Sequence, residues 1–261
     1  MGATASLYIS GSVSNNGSMQ AQRFFSGNKT NKNLYHYFTP PNASTSSSLF
    51  TNSHSSGNFN PNLIRYNESY DAEPDPTSTD YSEWDNFTAA WEPAHDGSSG
   101  SGITLTECKG YAFYNDENRT YTFRGDFLSS DVNTDVSFTL NDANSDYFDG
   151  WNMIGNPFTC ALDWESDSWD KTYIGNTIYY WDGEEGNYKY YNDASGDQAD
   201  EADNVLNGGS QFIPAMQAFF VKSTYTSTLS VTIPEAARTY STQGFFKKKS
   251  SKKSFKTDYL K

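Results

Sequence analysis

Cysteine, histidine and basic residues are scarce in this chain. Two cysteines, Cys108 and Cys160, stand among 261 residues. They are too few for a disulfide scaffold and lack zinc-ligand spacing. The three histidines, His36, His54 and His95, fall in no metal or triad pattern. There is no H-E-x-x-H, no G-x-S-x-G and no phosphate loop. Their absence removes the usual sequence signals of zinc hydrolysis, serine catalysis and nucleotide binding. A glycosidase holds two carboxylates about 5–10 Å apart in a cleft; acids abound, but nothing in their order marks such a pair. No apolar run approaches the ~20 residues that span a bilayer, so no membrane insertion is expected. Ala, Leu, Glu and Lys, the good helix formers, are sparse.

Net positive charge gathers at one end. The chain holds 18 basic and 32 acidic residues, for a formal net charge of −14. The last 17 positions hold seven of the basic residues and one acid, Asp258, so they carry about +6 against about −20 for the rest. An acidic body repels phosphate backbones, which argues against nucleic-acid partners. It suits solubility in a calcium-rich exterior.

What the chain does have is rings. Aromatic residues make up 16% and hydrophobic residues 35%, at a mean hydropathy of −0.76. Disordered chains are poor in aromatics, so a folded protein with Tyr, Phe and Trp as core material is expected. Tyr, Phe, Thr and Val favour strands. The expected fold is all-β: two pseudo-repeated antiparallel β-sandwich units, jelly-roll-like, with long polar loops.

The chain is organised around residues 150–164. Trp151, Met153 and Ile154 read as a core strand that halts at Gly155-Asn156-Pro157, where Pro cannot donate to a ladder and Gly and Asn tolerate a turn. A fainter copy lies at 35–42, Tyr-His-Tyr-Phe-Thr-Pro-Pro-Asn. Before it, 6–13 and 19–25 alternate around Asn15-Asn16-Gly17. Residues 42–60 are Ser/Asn-rich and read as a long surface loop. A short strand follows at 62–67, an acidic turn region at 71–80 and one helical turn at 86–90. Residues 108–114 and 120–125 read as a hairpin, 136–140 as another strand. Residues 177–181 and 188–191 read as a hairpin around 182–187. A loop at 192–210 leads to strands at 217–222 and 228–233 that read as a pair.

Features recur in one order. Pro41 maps to Pro157, Tyr66 to Trp181 and Tyr111 to Phe219, at offsets of 116, 115 and 108. True duplication is the expectation. The divisions read as 1–140 for the first unit, 141–240 for the second, and 241–261 for a basic tail or the start of a truncated following strand. Met1 leads directly into a strand pattern without a leader-like segment, and 258–261 stops in mid-strand. A piece of a longer protein is expected.

The run from Gly150 to Trp164 resembles a signature, GWNLIGNPYPSALDW, of a β-rich domain in large secreted Bacteroidetes proteins. Residues 177–183 resemble its TIYVWDG and 109–112 its GKGYA segment. Arg23-Phe24 to Pro41 is similar to its RY…WHYLSSP segment, and Ile233 to Arg238 and 258–260 to its IP…R and YLKL strands. Cys108 and Cys160 stand where Gly and Ser are usual. That family lies upstream of a type IX secretion sorting domain. The resemblance implies an extracellular or cell-surface location and no catalytic role.

The candidate sites are few. Cys108 and Cys160 read as a disulfide or as two separate buried thiols; a bridge would add about 4 kcal/mol in the chain-entropy model. Asp142, Asn144 and Asp146 space oxygen ligands as a calcium loop begins. Tyr147 follows where Gly is expected and no Glu closes the site, so a solvated turn is the alternative. Asp193, Asp197, Asp200, Glu201 and Asp203 read as a solvated loop. Trp181, Tyr179 and Tyr188 read as a glycan-stacking platform or as core filling, and His36 as an edge residue of a strand. The expected function is a non-catalytic extracellular structural or adhesion module of a larger surface or secreted protein. The alternatives are a carbohydrate-binding module and a glycan-degrading enzyme domain. Expected partners are other domains of the same protein and a cell-surface glycan or protein; no cofactor is expected, with calcium at the 142–146 loop as the alternative.

Overall fold

Alternation of ring and polar residues gives short strands throughout. The computed structural model describes residues 19–28, 35–53, 63–68, 90–94, 102–138, 150–193, 205–206, 208–241, 243–244 and 246. The first half holds β1 (Gln20–Phe25), β2 (His36–Phe38), β3 (Ile64–Tyr66), β4 (Trp91–Pro93), β5 (Tyr111–Phe113) and β6 (Arg119–Arg124). The second opens with β7 (Val132–Val136), β8 (Trp151–Gly155), β9 (Ala161–Asp163), β10 (Thr177–Asp182) and β11 (Asn187–Asn192). It ends with β12 (Val205–Leu206), β13 (Phe212–Ile213), β14 (Ala218–Lys222), β15 (Leu229–Ile233) and β16 (Arg238–Thr239). The fold is all-β and its pairings are antiparallel.

Two sheets form the centre. One runs β2-β5-β3-β4, the other β8-β14-β10-β11 with β12 beyond. The order is the same, and so is the register. Tyr37 faces Ala112 as Met153 faces Phe220. Ile64 faces Ala112 as Tyr179 faces Phe220. Tyr66 faces Trp91 as Trp181 faces Tyr188. The outer ribbons follow suit: Phe25 pairs with Arg119 as Val136 pairs with Leu229.

Period-two alternation sorts each strand's side chains to opposite faces. Tyr37, Ala112, Met153, Ala218 and Phe220 lie between the two sheets, with Tyr66, Trp91, Trp151, Tyr179, Trp181 and Tyr188 packed around them. On the far side of the first sheet Phe38, Tyr111 and Phe113 meet Phe25, Tyr121 and Phe123 of the β1–β6 ribbon. On the far side of the second, Ile154, Ile178, Tyr180, Phe219 and Val221 meet Val136, Val231 and Ile233 of the β7–β15 ribbon. Both central sheets are therefore covered on both faces.

Several expectations fail for one reason. Residues 108–114 and 120–125 do not make a hairpin: β5 pairs with β2 and β3, and β6 with β1. Likewise β14 pairs with β8 and β10, while β15 pairs with β7. A strand buried on both faces, as β5 is throughout, gains most at the centre of a sheet between two covering layers. The half-exposed β6 suits an outer ribbon. The strand expected at 136–140 lies at Val132–Val136. It pairs with β15, a strand of the second half.

Residues 42–50 are not a surface loop, and 54–60 lie outside the described residues. Phe50, on a 3-10 helix at Ser47–Ser53, is fully buried against Phe38, Phe113 and Tyr121. Asn42 Oδ1 accepts from Ser44 N–H and Thr45 Oγ1, so small polar side chains satisfy a buried turn. The basic tail's first part is not free of the body, since Phe246 is buried in the second core. The strand expected at 6–13, the turn regions at 71–80 and 86–89, and His54 and His95 lie outside the described residues.

Candidate ligand cleft

Each half sends one segment across to the other. In the first half this is 106–111, just before and into β5; in the second it is 214–219, into β14. Cys108 has φ 63° and Met216 φ 59°, a left-handed conformation that is uncommon without glycine. Cys108 O accepts from Gly155 N–H at 2.9 Å, and Met216 O from Thr39 N–H at 3.0 Å. Lys109 bridges Ile154, and Gln217 bridges Phe38. Cys108 packs in the second core and Met216 in the first. The crossings are reciprocal, and each covers the edge strand of the other half's sheet.

The outer end of the first crossing borders a cavity of about 440 Å³. That size lies within the roughly 300–1,000 Å³ of small-ligand pockets. Arg65 on β3 donates through Nε and Nη2 to Glu92 Oε2 at 3.3 and 3.2 Å. Asn67 Nδ2 donates to Glu92 Oε1 at 2.6 Å, so the carboxylate is fixed from two sides. The Arg65 side chain is 54% exposed, and such a pair adds only about 0–1 kcal/mol. Across the cavity Asn152 Oδ1 accepts from Ser137 N–H at 2.9 Å, and its Nδ2 donates to Ser137 O and Gly150 O. Gly150 has φ 79° and donates its N–H to Glu68 Oε1 at 3.1 Å.

Lys109 also lines the cavity. Its ammonium donates to Asp135 O at 2.5 Å, with no carboxylate paired to it among the described residues. Burial pushes its pKa below the usual lysine value, partly offset by Asp135. Gly110 admits no side chain here: a Cβ would lie 2.3 Å from Met153 Cγ. The cavity thus offers two cations, two carboxylates already hydrogen-bonded, and amide groups committed to the frame.

The residues singled out from sequence lie elsewhere. Tyr37 lies near-parallel to Trp181 at 6.2 Å between centroids, and its hydroxyl shares a 2.9 Å hydrogen bond with Tyr188. Tyr179 meets Trp151 edge-on at 4.9 Å. All three candidate platform rings are half-buried and pack against the layer between the sheets. Cys108 and Cys160 are free thiols, both buried in the second core, where burial pushes their pKa values up to about 12 and about 11. The structure has them as two separate buried thiols, not joined to each other. His36 is on the sheet's edge strand but buried, its Nε2 bonded to Ser26 O at 2.8 Å. Asp193 is not in a solvated loop; it pairs with Lys171 at 2.5 Å, nearly buried. Asp142, Asn144 and Asp146, with Asp197, Asp200, Glu201 and Asp203, lie outside the described residues. Among the described residues no group of three His, Cys, Asp or Glu could hold a metal ion. Among them, too, no helix is long and apolar enough to cross a membrane.

Nothing in the sequence marks Arg65, Asn67, Glu92 or Lys109 as site residues, although Lys109 falls in the GKGYA-like segment. They come from three separate segments, and only the pairings of β3 with β4 and with β5, and the crossing before β5, unite them. Comparison with protein-family models, curated proteins and solved structures finds no match.

Proposed function

We propose that the chain is a non-catalytic extracellular module, structural or adhesive, of a larger secreted or cell-surface protein, built from two duplicated β units. One observation carries this reading: the rings that could have formed a display surface are half-buried, packed against the aromatic layer between the two sheets. The repeated strand order and register support duplication. The resemblance of residues 150–164 supports the location. Its partners would be neighbouring domains of the parent protein and a surface glycan or protein, and calcium would be held at Asp142, Asn144 and Asp146.

A second reading, a carbohydrate-binding module, is favoured by the polar cavity beside Arg65 and Lys109. The test is a panel of polysaccharides and oligosaccharides, scored for retention on gels and for turnover. The structural reading expects neither. Retention lost on Arg65→Ala moves the protein to the second reading. Turnover abolished by one carboxylate substitution overturns both. Calcium is tested by melting with and without a chelator, where a fall in Tm that Asp146→Asn removes is the expected result.

A further inference from the structure

The two crossings differ at their outer ends. In the second half the Phe246 ring lies over Tyr180, centroids 4.0 Å apart and 12° from parallel. The Phe246 N–H donates to Gln217 Oε1 at 3.0 Å. Strand register relates Tyr180 to Arg65 and Phe219 to Tyr111. The two bridges relate Gln217 to Lys109. Phe246 therefore sits on the surface equivalent to the cleft. In the first half that surface borders the open cavity.

The exchanged residues decide what fits. A glutamine oxygen accepts a backbone N–H; an ammonium only donates. Lys109 gives one hydrogen bond to Asp135 O, which leaves it further donors for an acceptor from outside. Arg65 binds Glu92 through Nε and Nη2, so a second edge of the guanidinium is open to an incoming carboxylate or carbonyl. The body carries about −20 outside the tail, which disfavours a polyanion but tolerates a single carboxylate on an otherwise neutral segment.

We propose that the cleft at Arg65, Lys109 and Tyr111 is a docking seat for an extended peptide that presents one carboxylate to Lys109, held as the Phe246 segment is held in the second half. The seat depends neither on the extracellular reading nor on the absence of catalysis. The full chain is titrated against fluorescein-labelled octapeptides rich in threonine and valine, one with a single central glutamate and one with glutamine. The glutamate peptide binds about tenfold tighter, or about 1.4 kcal/mol. Lys109→Gln, which installs the residue of the second half, erases the preference, and Lys109→Arg keeps it. Amide shifts in the unsubstituted chain locate the peptide at Lys109 and Arg65 whether or not the variants fold. Equal affinity for both peptides, no binding, shifts confined to another face, or binding of a trigalacturonate probe in place of peptide overturns the proposal.

Discussion

The two halves share strand order and register but not what fills them. Between the sheets the second half supplies Phe220 where the first supplies Ala112. The first half supplies Tyr37 where the second supplies Met153. Ring and small residue thus alternate across the shared layer, and large against small is how facing layers interdigitate without voids. The strand stops differ too. Asn156 is fully buried, and its Nδ2 donates to the carbonyls of Cys160, Ile213 and Pro214. Asn42 does comparable work two positions later in its half, with Ser44 and Thr45 as partners and Arg124 O as acceptor. Like scaffolds have come to depend on each other through unlike residues.

The comparison can be broken most severely in the shared layer. Phe220→Ala is expected to cost about 3–5 kcal/mol, as large-to-small changes at buried rings do. Because Tyr37, Tyr66 and Trp91 of the first half all meet that ring, calorimetry should show one transition lowered as a whole. Two resolved transitions would mean that the halves are stable separately.

The strand stops give the next largest effect. Asn156→Ala strips partners from the buried Phe158 N–H, which donates to Asn156 Oδ1, and from three carbonyls, and each such group costs about 1–3 kcal/mol when unsatisfied. Asn42→Ala should cost less, about 1–2 kcal/mol, because part-exposed Ser44 lets water replace the lost partner. Urea unfolding of both variants measures the order, and a reversed order would show that the first half bears the tighter stop.

Alkali probes both halves at once. Burial raises Cys160 to about 11, Cys108 to about 12 and Tyr121 to about 12. It also raises Tyr37, Tyr180 and Tyr188. The unfolded chain loses these protons first, from pH 9 for thiols and pH 10 for phenols. Between those values and the folded ones the unfolded state binds fewer protons, so stability falls as pH rises. It is fully present below about pH 9. Melting temperature measured from pH 8 to 12 should hold level and then drop, and a level profile to pH 12 would show that these groups are open to solvent.

The smallest expected effect is the most local. Cys108 and Met216 hold left-handed conformations that glycine adopts freely. At each position the Gly variant should be more stable than the Ala variant by about 1 kcal/mol, the reverse of the usual order in strands. Ala above Gly at either site would mean that the crossings are not reciprocal.

How much of this was legible is clearest at particular residues. The strand from Trp151 and its stop at Asn156 were readable because Gly-Asn-Pro has few other structures open to it. The 177–182 hairpin was readable because its partner follows within a short turn. The pairing of β5 with β2, and of β7 with β15, was not. Those strands meet across long stretches of chain, and their alternation fits any neighbour with a matching face. Phe50 hid in a serine-rich run because a single ring leaves no periodicity. The cleft hid because Arg65, Glu92 and Lys109 become neighbours only through two sheet pairings and one crossing. The fate of Trp181 and Tyr188 turned on which sheet face met a second sheet, which a hairpin's sequence does not state.

The central claim is that each half completes the other by exchanging a crossing segment and sharing one aromatic layer. Cutting the chain between β6 and β7, at residue 128, tests it directly. Expressed alone, neither piece should show a cooperative melt; expressed together, the two should co-purify and melt as one. A cooperative melt with a sheet-type spectrum from either piece alone would contradict the account.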